Sequence, residues 1–235
     1  MDDTAMNRLD EISAGLDRTR ERVADACAAA GRDPAELTII VVTKTYPVTD
    51  VKTLADLGVR DVGENRDQEA APKAAACVGV GVHWHFVGQL QTNKASSVAR
   101  YASAVHSVDR ARLVHALDKG ATAAGRRLGT LVQVSLDDTP GRGGASPGDV
   151  AALADLIAES ASLTPAGVMA VAPLGAEPGR AFAKLGAIAE RVQRDHPSAT
   201  WISAGMSADL EAAVAHGATH LRIGSAILGE RAYEG

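Results

Sequence analysis

The chain has 235 residues, 46% of them hydrophobic, which is enough to bury a sizeable core without disulfides or metal ions. Its 24 lysines and arginines are outnumbered by 29 acidic residues, and the net charge of −5 argues against a nucleic-acid-binding domain, which is normally basic. Aromatic residues make up only 3% of the chain, too few for a base-stacking surface. The two cysteines, Cys27 and Cys77, show no pairing pattern and indicate a reducing compartment.

The N-terminus has no features of a targeting segment. Asp2 and Asp3 stand where a secretory signal carries basic residues, and no apolar segment follows them. The longest aliphatic run, residues 37–42, is far shorter than the roughly 20 residues of a membrane-spanning helix. We therefore expect a cytoplasmic protein with no membrane segment.

Short apolar runs alternate with Ala- and Leu-rich stretches along most of the chain. The alternation begins after a helix predicted near residues 5–30, where Leu9, Ile12, Leu16 and Val23 recur at helical spacing. Strands are predicted near residues 37–43, 59–63, 83–88, 103–107, 129–135, 166–171, 200–204 and 219–223. The helices between them are predicted near residues 50–57, 65–77, 93–101, 109–124, 147–161, 179–195 and 207–216, with a last one from about 225.

Eight strands, each followed by a helix, indicate a (β/α)8 barrel, with a doubly wound open sheet as the alternative. No linker or change of composition divides the chain, so we expect residues 1–235 to form one domain. Several residue types also suit the predicted helix ends. The expected N-caps are Thr49, Asp109, Ser146 and Ser207, and the expected helix-ending glycines are Gly58, Gly125 and Gly217.

A lysine directly follows the first predicted strand. The active sites of barrels lie at the carboxyl ends of the strands, so we expect Lys44 at the mouth of the barrel and partly desolvated. Desolvation lowers the pKa of a lysine and prepares its amine to form an imine with a carbonyl compound. An ordinary solvated lysine in a loop is the alternative.

Glycine–serine turns follow the seventh and eighth strands, with Gly205 and Ser207 in one and Gly224 and Ser225 in the other. Glycine allows close approach of the backbone, hydroxyls donate hydrogen bonds, and loops at these positions of a barrel often bind phosphate. Ordinary turns before helices have the same composition. An amine opposite a phosphate site suits pyridoxal 5′-phosphate (PLP) or a sugar phosphate held by a Schiff-base aldolase, and the pattern does not choose between them.

His83 and His85 share one face of the third strand and could form a metal pair. No further Cys, His or Asp ligand is evident at the ends of strands seven and eight. A structural role for the two histidines is therefore favoured over a metal-dependent hydrolase.

Several motifs together resemble the YggS/PROSC family of pyridoxal phosphate homeostasis proteins, over nearly the whole chain. The longest is the run WHFVGQLQTNK, from Trp84 to Lys94. The shorter motifs are VVTKT around Lys44, VGEN ending at Asn65, GVMAVAP from Gly167, SAGMS from Ser203 and RIGSAILG from Arg222.

The resemblance implies a single (β/α)8 barrel similar to the N-terminal domain of alanine racemase, with PLP held as an aldimine of Lys44. Ser207, Gly224 and Ser225 would bind its phosphate, with the backbone of Met206 close by and Ser203 as a further candidate. Asn65 would lie beside the cofactor, and Arg222 would face its pyridine nitrogen. The residues implied to contact PLP are thus Lys44, Asn65, Ser203, Met206, Ser207, Arg222, Gly224 and Ser225.

The resemblance further implies a carrier or buffer of PLP without strong catalysis of its own. A guanidinium beside the ring nitrogen disfavours protonation of the ring, which weakens it as an electron sink. The racemase also needs a tyrosine base from an additional C-terminal domain, which we do not expect after Gly235. A racemase-like or Schiff-base enzyme acting on a small amino acid or sugar phosphate is the alternative. A monomer is expected, with apo PLP enzymes as transient partners and no nucleic acid or membrane partner.

This chain departs from the family pattern at two places. Arg142 stands in the loop after strand five, in the region where the family often has a lysine. Arginine does not form an imine at physiological pH, so a second reactive lysine is not expected there. Ala204 replaces a methionine before the seventh helix, which should reduce packing near the phosphate without removing hydrogen-bond donors.

Overall fold

A computed structural model describes residues 3–137 and 143–229; Arg142 lies outside these ranges. Eight parallel strands form a closed barrel in the order β1 to β8, which confirms the (β/α)8 prediction and rules out the open sheet. The strands are β1 (Thr38–Val42), β2 (Asp61–Glu64), β3 (His83–Phe86), β4 (Ala104–Val108), β5 (Leu128–Gln133), β6 (Leu163–Met169), β7 (Trp201–Ser203) and β8 (His220–Ile223).

The helices are α1 (Asp3–Ala30), α2 (Val48–Asp56), α3 (Asp67–Ala76), α4 (Ala95–Tyr101), α5 (Ala111–Ala123), α6 (Val150–Ala158), α7 (Pro178–Asp195), α8 (Leu210–Ala215) and α9 (Ser225–Leu228). Helices α2 to α8 connect consecutive strands, while α1 precedes β1 and α9 follows β8. Single 3₁₀ turns precede β1 and α4. No helix in the described ranges is long and apolar enough to cross a membrane.

Each predicted strand and helix is present, but the four predicted N-caps are wrong. The residues at those cap positions are Pro47, Arg110, Asp149 and Asp209. Side-chain partners explain part of the difference, because the Ser146 hydroxyl binds the Asp149 carboxylate and Asp109 pairs with Arg110. Residues 207–209 form a turn, so that α8 begins only at Leu210. The glycines predicted to follow α2, α5 and α8 all have positive φ, which confirms them as helix ends.

Two apolar clusters fill the molecule. The larger one lies between the strands and the surrounding helices and includes both buried cysteines, which are free thiols. The smaller one consists of Leu131, Ala166 and Met169 with Trp201 packed against them. The interior of the barrel also holds polar groups. Ser203 on β7 contacts His106 on β4, and these strands are not neighbours, so the contact crosses the lumen.

Candidate functional site

Four of the predicted site residues follow four consecutive strands. In the closed barrel β7, β8, β1 and β2 are neighbours, and Val41 is in register with Ile223 on one side and Val62 on the other. Ser207, Ser225, Lys44 and Asn65 come after the carboxyl ends of these strands in that order. The fold therefore places a lysine, an asparagine and two serines along one arc of the barrel mouth.

Lys44 is exposed, contrary to the expectation of partial desolvation. It follows Thr43, which is fully buried, and precedes Thr45, whose φ of 65° lies in the left-handed region. A non-glycine residue pays a cost in this conformation. The Thr45 N–H donates to Oε2 of Glu69 at 2.8 Å, which helps to hold the turn. The turn follows the carboxyl end of β1 and leaves Lys44 exposed there.

A buried ion pair fixes the backbone just before Lys44, and the sequence did not predict it. Lys73 of α3 donates from Nζ to Oε1 of Glu64 at 2.7 Å and to the Thr43 carbonyl at 2.8 Å. The Thr43 hydroxyl donates to the same carboxylate oxygen at 2.7 Å, and Glu64 is only 1% exposed. The one sequence feature that could have pointed to this ion pair is the position of Glu64 beside Asn65 in the VGEN motif.

The two serine turns present hydroxyls that make no hydrogen bond to any described residue. This holds for Ser207 and for Ser225, at the starts of the segments that lead into α8 and α9. Gly224 lies against β1, since a Cβ there would be 3.3 Å from the Val42 carbonyl oxygen. Gly205 has a φ of 89°, which a residue with a side chain rarely adopts. The Met206 N–H is already taken by Oδ1 of Asp209, at 2.6 Å.

Helix α1 holds both serine turns from outside the barrel. Arg22 donates from Nη1 to the Ser207 carbonyl at 2.6 Å and forms an ion pair with Glu211. The hydrogen bond to Glu211 raises the pKa of Arg22 above its ordinary value. Gly15 packs against α9, because a Cβ at this position would be 2.3 Å from the Ile227 carbonyl oxygen. The sequence predicted this helix but not its contacts with the site.

Arg222 lies inside the barrel and is only 6% exposed. It donates from Nη1 to the Ser203 hydroxyl at 2.7 Å and from Nη2 to the Ala170 carbonyl at 2.9 Å. Burial lowers its pKa to about 10, a shift that the charge of Asp209 opposes, so the guanidinium remains charged at neutral pH. Ser203 is fully buried and occupied by Arg222 and His106. The Ser203 hydroxyl is therefore engaged inside the barrel, between Arg222 and His106.

Asn65 is half-buried and lines a cleft of about 510 Å³ between the loops after β2 and β3. Gly88 packs on its backbone, since a Cβ at Gly88 would be 2.2 Å from the Asn65 carbonyl oxygen. The WHFVGQLQTNK segment therefore contributes a close backbone contact that holds the loop carrying Asn65.

The histidines of the third strand contact a carboxylate. Asp61 accepts from His83 at 3.2 Å and from His85 at 3.0 Å, and His85 in turn contacts His106 at 2.8 Å. Within residues 3–137 and 143–229, no three His, Cys, Asp or Glu side chains are grouped to hold a metal ion. The contribution of His106 was missed, because a lone histidine on an apolar strand gives no sequence signal.

The chain is similar to known proteins over most of its length. Residues 15–232 match the family model described as alanine racemase, N-terminal domain. A protein of Mycobacterium tuberculosis named pyridoxal phosphate homeostasis protein is 45% identical over 244 residues, which covers 96% of this chain and 95% of the relative.

Two solved structures of relatives share the fold. A crystal structure described as that of an unknown protein from Bifidobacterium adolescentis superimposes with a TM-score of 0.88 at 28% identity, covering 97% of each chain. PipY of Synechococcus elongatus, solved with PLP bound, gives a TM-score of 0.78 at 33% identity and covers 88% of this chain and 100% of its own. The chain belongs to the family of pyridoxal phosphate homeostasis proteins, within the larger family defined by the alanine racemase N-terminal domain.

Proposed function

We propose that this chain is a PLP-binding protein of intracellular PLP homeostasis, acting as one domain in the cytoplasm. The observation that carries the proposal is the arc of side chains at the carboxyl ends of β7, β8, β1 and β2. It combines an exposed lysine, Lys44, with two serine hydroxyls that make no hydrogen bond to the described residues. The names of the relatives and the PLP in the structure of PipY support the same cofactor.

The residues of the arc fit the chemical groups of PLP. Lys44 supplies the amine whose nitrogen replaces the aldehyde oxygen, which leaves as water. Ser207 and Ser225 donate their hydroxyls to the phosphate, and Gly224 leaves room for it beside β1. Asn65 borders the ring. Met206 contributes the backbone of the same turn but not its N–H, which Asp209 occupies.

Arg222 faces the pyridine nitrogen in this proposal and limits the chemistry that the site supports. PLP, when bound, supplies an electron sink for carbanions, and this depends on a protonated ring nitrogen. The charged guanidinium opposes that protonation. We therefore propose a carrier or buffer that releases PLP to apo-enzymes, as a monomer. Incubation with L- or D-alanine should leave the isomer unchanged, which chiral chromatography measures.

Titration of the purified protein with PLP, followed by visible absorbance, tests the proposal. The wild type should develop a new absorption band at one equivalent of PLP, and Lys44→Ala should not. Lys52→Ala, which removes another exposed lysine on the next helix, is the matched control and should behave as wild type. Far-ultraviolet circular dichroism checks that each variant is folded. A band of equal size in Lys44→Ala would refute the assignment of the amine.

A further inference from the structure

A continuous chain of hydrogen bonds runs through the barrel interior below Arg222. Arg222 contacts the Ser203 hydroxyl at 2.7 Å, which contacts Nδ1 of His106 at 2.9 Å. Nε2 of His106 contacts Nδ1 of His85 at 2.8 Å, and Nε2 of His85 contacts Asp61 at 3.0 Å. These hydrogen bonds thus join Arg222, near the carboxyl end of β8, to Asp61, the first residue of β2, at the amino end of the barrel.

The two ends of this chain fix the direction of every donor between them. A guanidinium only donates and an ionised carboxylate only accepts. Ser203 accepts from Arg222, so its own O–H is available for Nδ1 of His106. His106 must then carry its proton on Nε2 and donate to Nδ1 of His85, which likewise donates from Nε2 to Asp61. One arrangement of neutral tautomers therefore satisfies every contact.

The charge states of the groups agree with this arrangement. Burial, with the nearby charge of Arg222, holds the pKa of His106 well below its ordinary value, so its ring is neutral. Burial raises the pKa of Asp61, but hydrogen bonds from His85 and His83 outweigh it, and the net effect lies below the ordinary value. Asp61 is therefore an ionised acceptor at neutral pH.

We propose that Asp61, His85 and His106 are positioning residues for Arg222, and that they act by ordering the protons between it and the far rim of the barrel. The ordered chain keeps the Ser203 hydroxyl as an acceptor for Arg222, which holds the guanidinium at one place in the mouth. Asp61 thereby influences the cofactor site from the opposite end of the barrel. That influence on cofactor binding rests on the proposed function, whereas the order of the protons does not.

The histidine tautomers can be measured in the protein without PLP. Long-range ¹H–¹⁵N NMR spectra at pH 7 should show His106 and His85 with the proton on Nε2 and an unprotonated Nδ1. Asp61→Asn keeps the shape of the side chain but can donate as well as accept, so we expect a mixture of tautomers at His106. A wild-type His106 protonated on Nδ1 would overturn the proposal, and this test does not depend on any variant folding.

Equilibrium titration with PLP tests the effect on the site. We expect the dissociation constant to rise about tenfold in Ser203→Ala, the usual order for one lost hydrogen bond, and severalfold in Asp61→Asn. His83→Gln is the matched control. His83 also contacts Asp61, but its side chain is 62% exposed and takes no part in the hydrogen bonds that join Arg222 to Asp61. This variant should bind PLP as wild type.

The outcomes distinguish failure of the positioning role from failure of PLP binding. Wild-type affinity and an unchanged spectrum of bound PLP in Asp61→Asn would refute the positioning role while leaving PLP binding intact. A wild type that does not bind PLP would refute the proposed function, and the tautomer measurement would still decide the order of the protons.

Discussion

The hydroxyls of Ser207 and Ser225 have no hydrogen-bond partner among the described residues, at a place where the neighbouring glycines keep the backbone open. A hydroxyl that donates to a charged phosphate stabilises binding by about 1.5–3 kcal/mol. We expect Ser207→Ala and Ser225→Ala each to raise the dissociation constant of PLP by about 10- to 100-fold, measured by absorbance titration. Pyridoxal, which lacks the phosphate, is the matched ligand and should bind the variants as it binds wild type. An equal loss for both ligands would show that these serines do not hold the phosphate.

The sequence predicted the placement of those site residues whose position depends only on the order of the strands. Lys44, Ser207 and Ser225 follow strands directly, so the barrel alone brings them to one rim. The hydrogen-bond partners of Ser203 could not be predicted, because Arg222 and His106 come from strands on opposite sides of the lumen. The exposure of Lys44 was also missed, since it depends on the turn at Thr45.

At the level of elements, α1 links the outer surface to the site. Its Arg22 holds the Ser207 carbonyl, while the charge of Arg22 is balanced by Glu211 on α8. We expect Arg22→Ala to weaken PLP binding severalfold, because the turn that carries Ser207 loses a fixed contact. The effect on unfolding should be small, about 1 kcal/mol or less, because the ion pair is largely exposed. Urea titrations with and without PLP measure both quantities.

Arg20→Ala is the control for this prediction. Arg20 lies on the same helix, and among residues 3–137 and 143–229 its one ion pair is with Asp17, one turn away on the surface. It should change neither PLP affinity nor stability. Equal affinities for Arg22→Ala, Arg20→Ala and wild type would show that α1 does not support the turn.

Element positions were predictable to within a few residues, and element ends were not. Apolar runs bounded by turn residues gave the strands, and Gly58, Gly125 and Gly217 gave helix ends, because a positive φ is a local property. The N-caps were not predictable, because a cap depends on which of several partners a side chain binds. Ser146 satisfies the carboxylate of Asp149 instead of a backbone N–H, and sequence does not reveal which of two nearby partners a hydroxyl takes.

The whole molecule should lose stability in mild acid. Burial lowers the pKa of His220 to about 4, although the charge of Asp61 opposes the shift. In the unfolded chain the same ring titrates near its ordinary value of about 6.5. Between these values the unfolded state binds more protons, so stability falls with falling pH, by up to about 1.4 kcal/mol per pH unit from His220 alone.

Urea unfolding at pH 7, 6 and 5 measures this dependence. His106, whose pKa is also lowered, should add to the slope. His220→Gln should reduce the slope between pH 6.5 and 4.5, and His115→Gln, at an exposed position of α5, should not. A stability that is constant over this range, or that rises towards pH 5, would contradict the burial of neutral histidines in the barrel.

Covalent attachment of PLP to Lys44 underlies every role assigned to the mouth of the barrel. Borohydride reduction of the PLP-loaded protein, followed by proteolysis and mass spectrometry, locates the attached lysine directly. We expect one modified peptide, which contains Lys44 and is absent when borohydride is omitted. A pyridoxyl group found instead on Lys73, Lys94 or any other lysine, or on none, would contradict it.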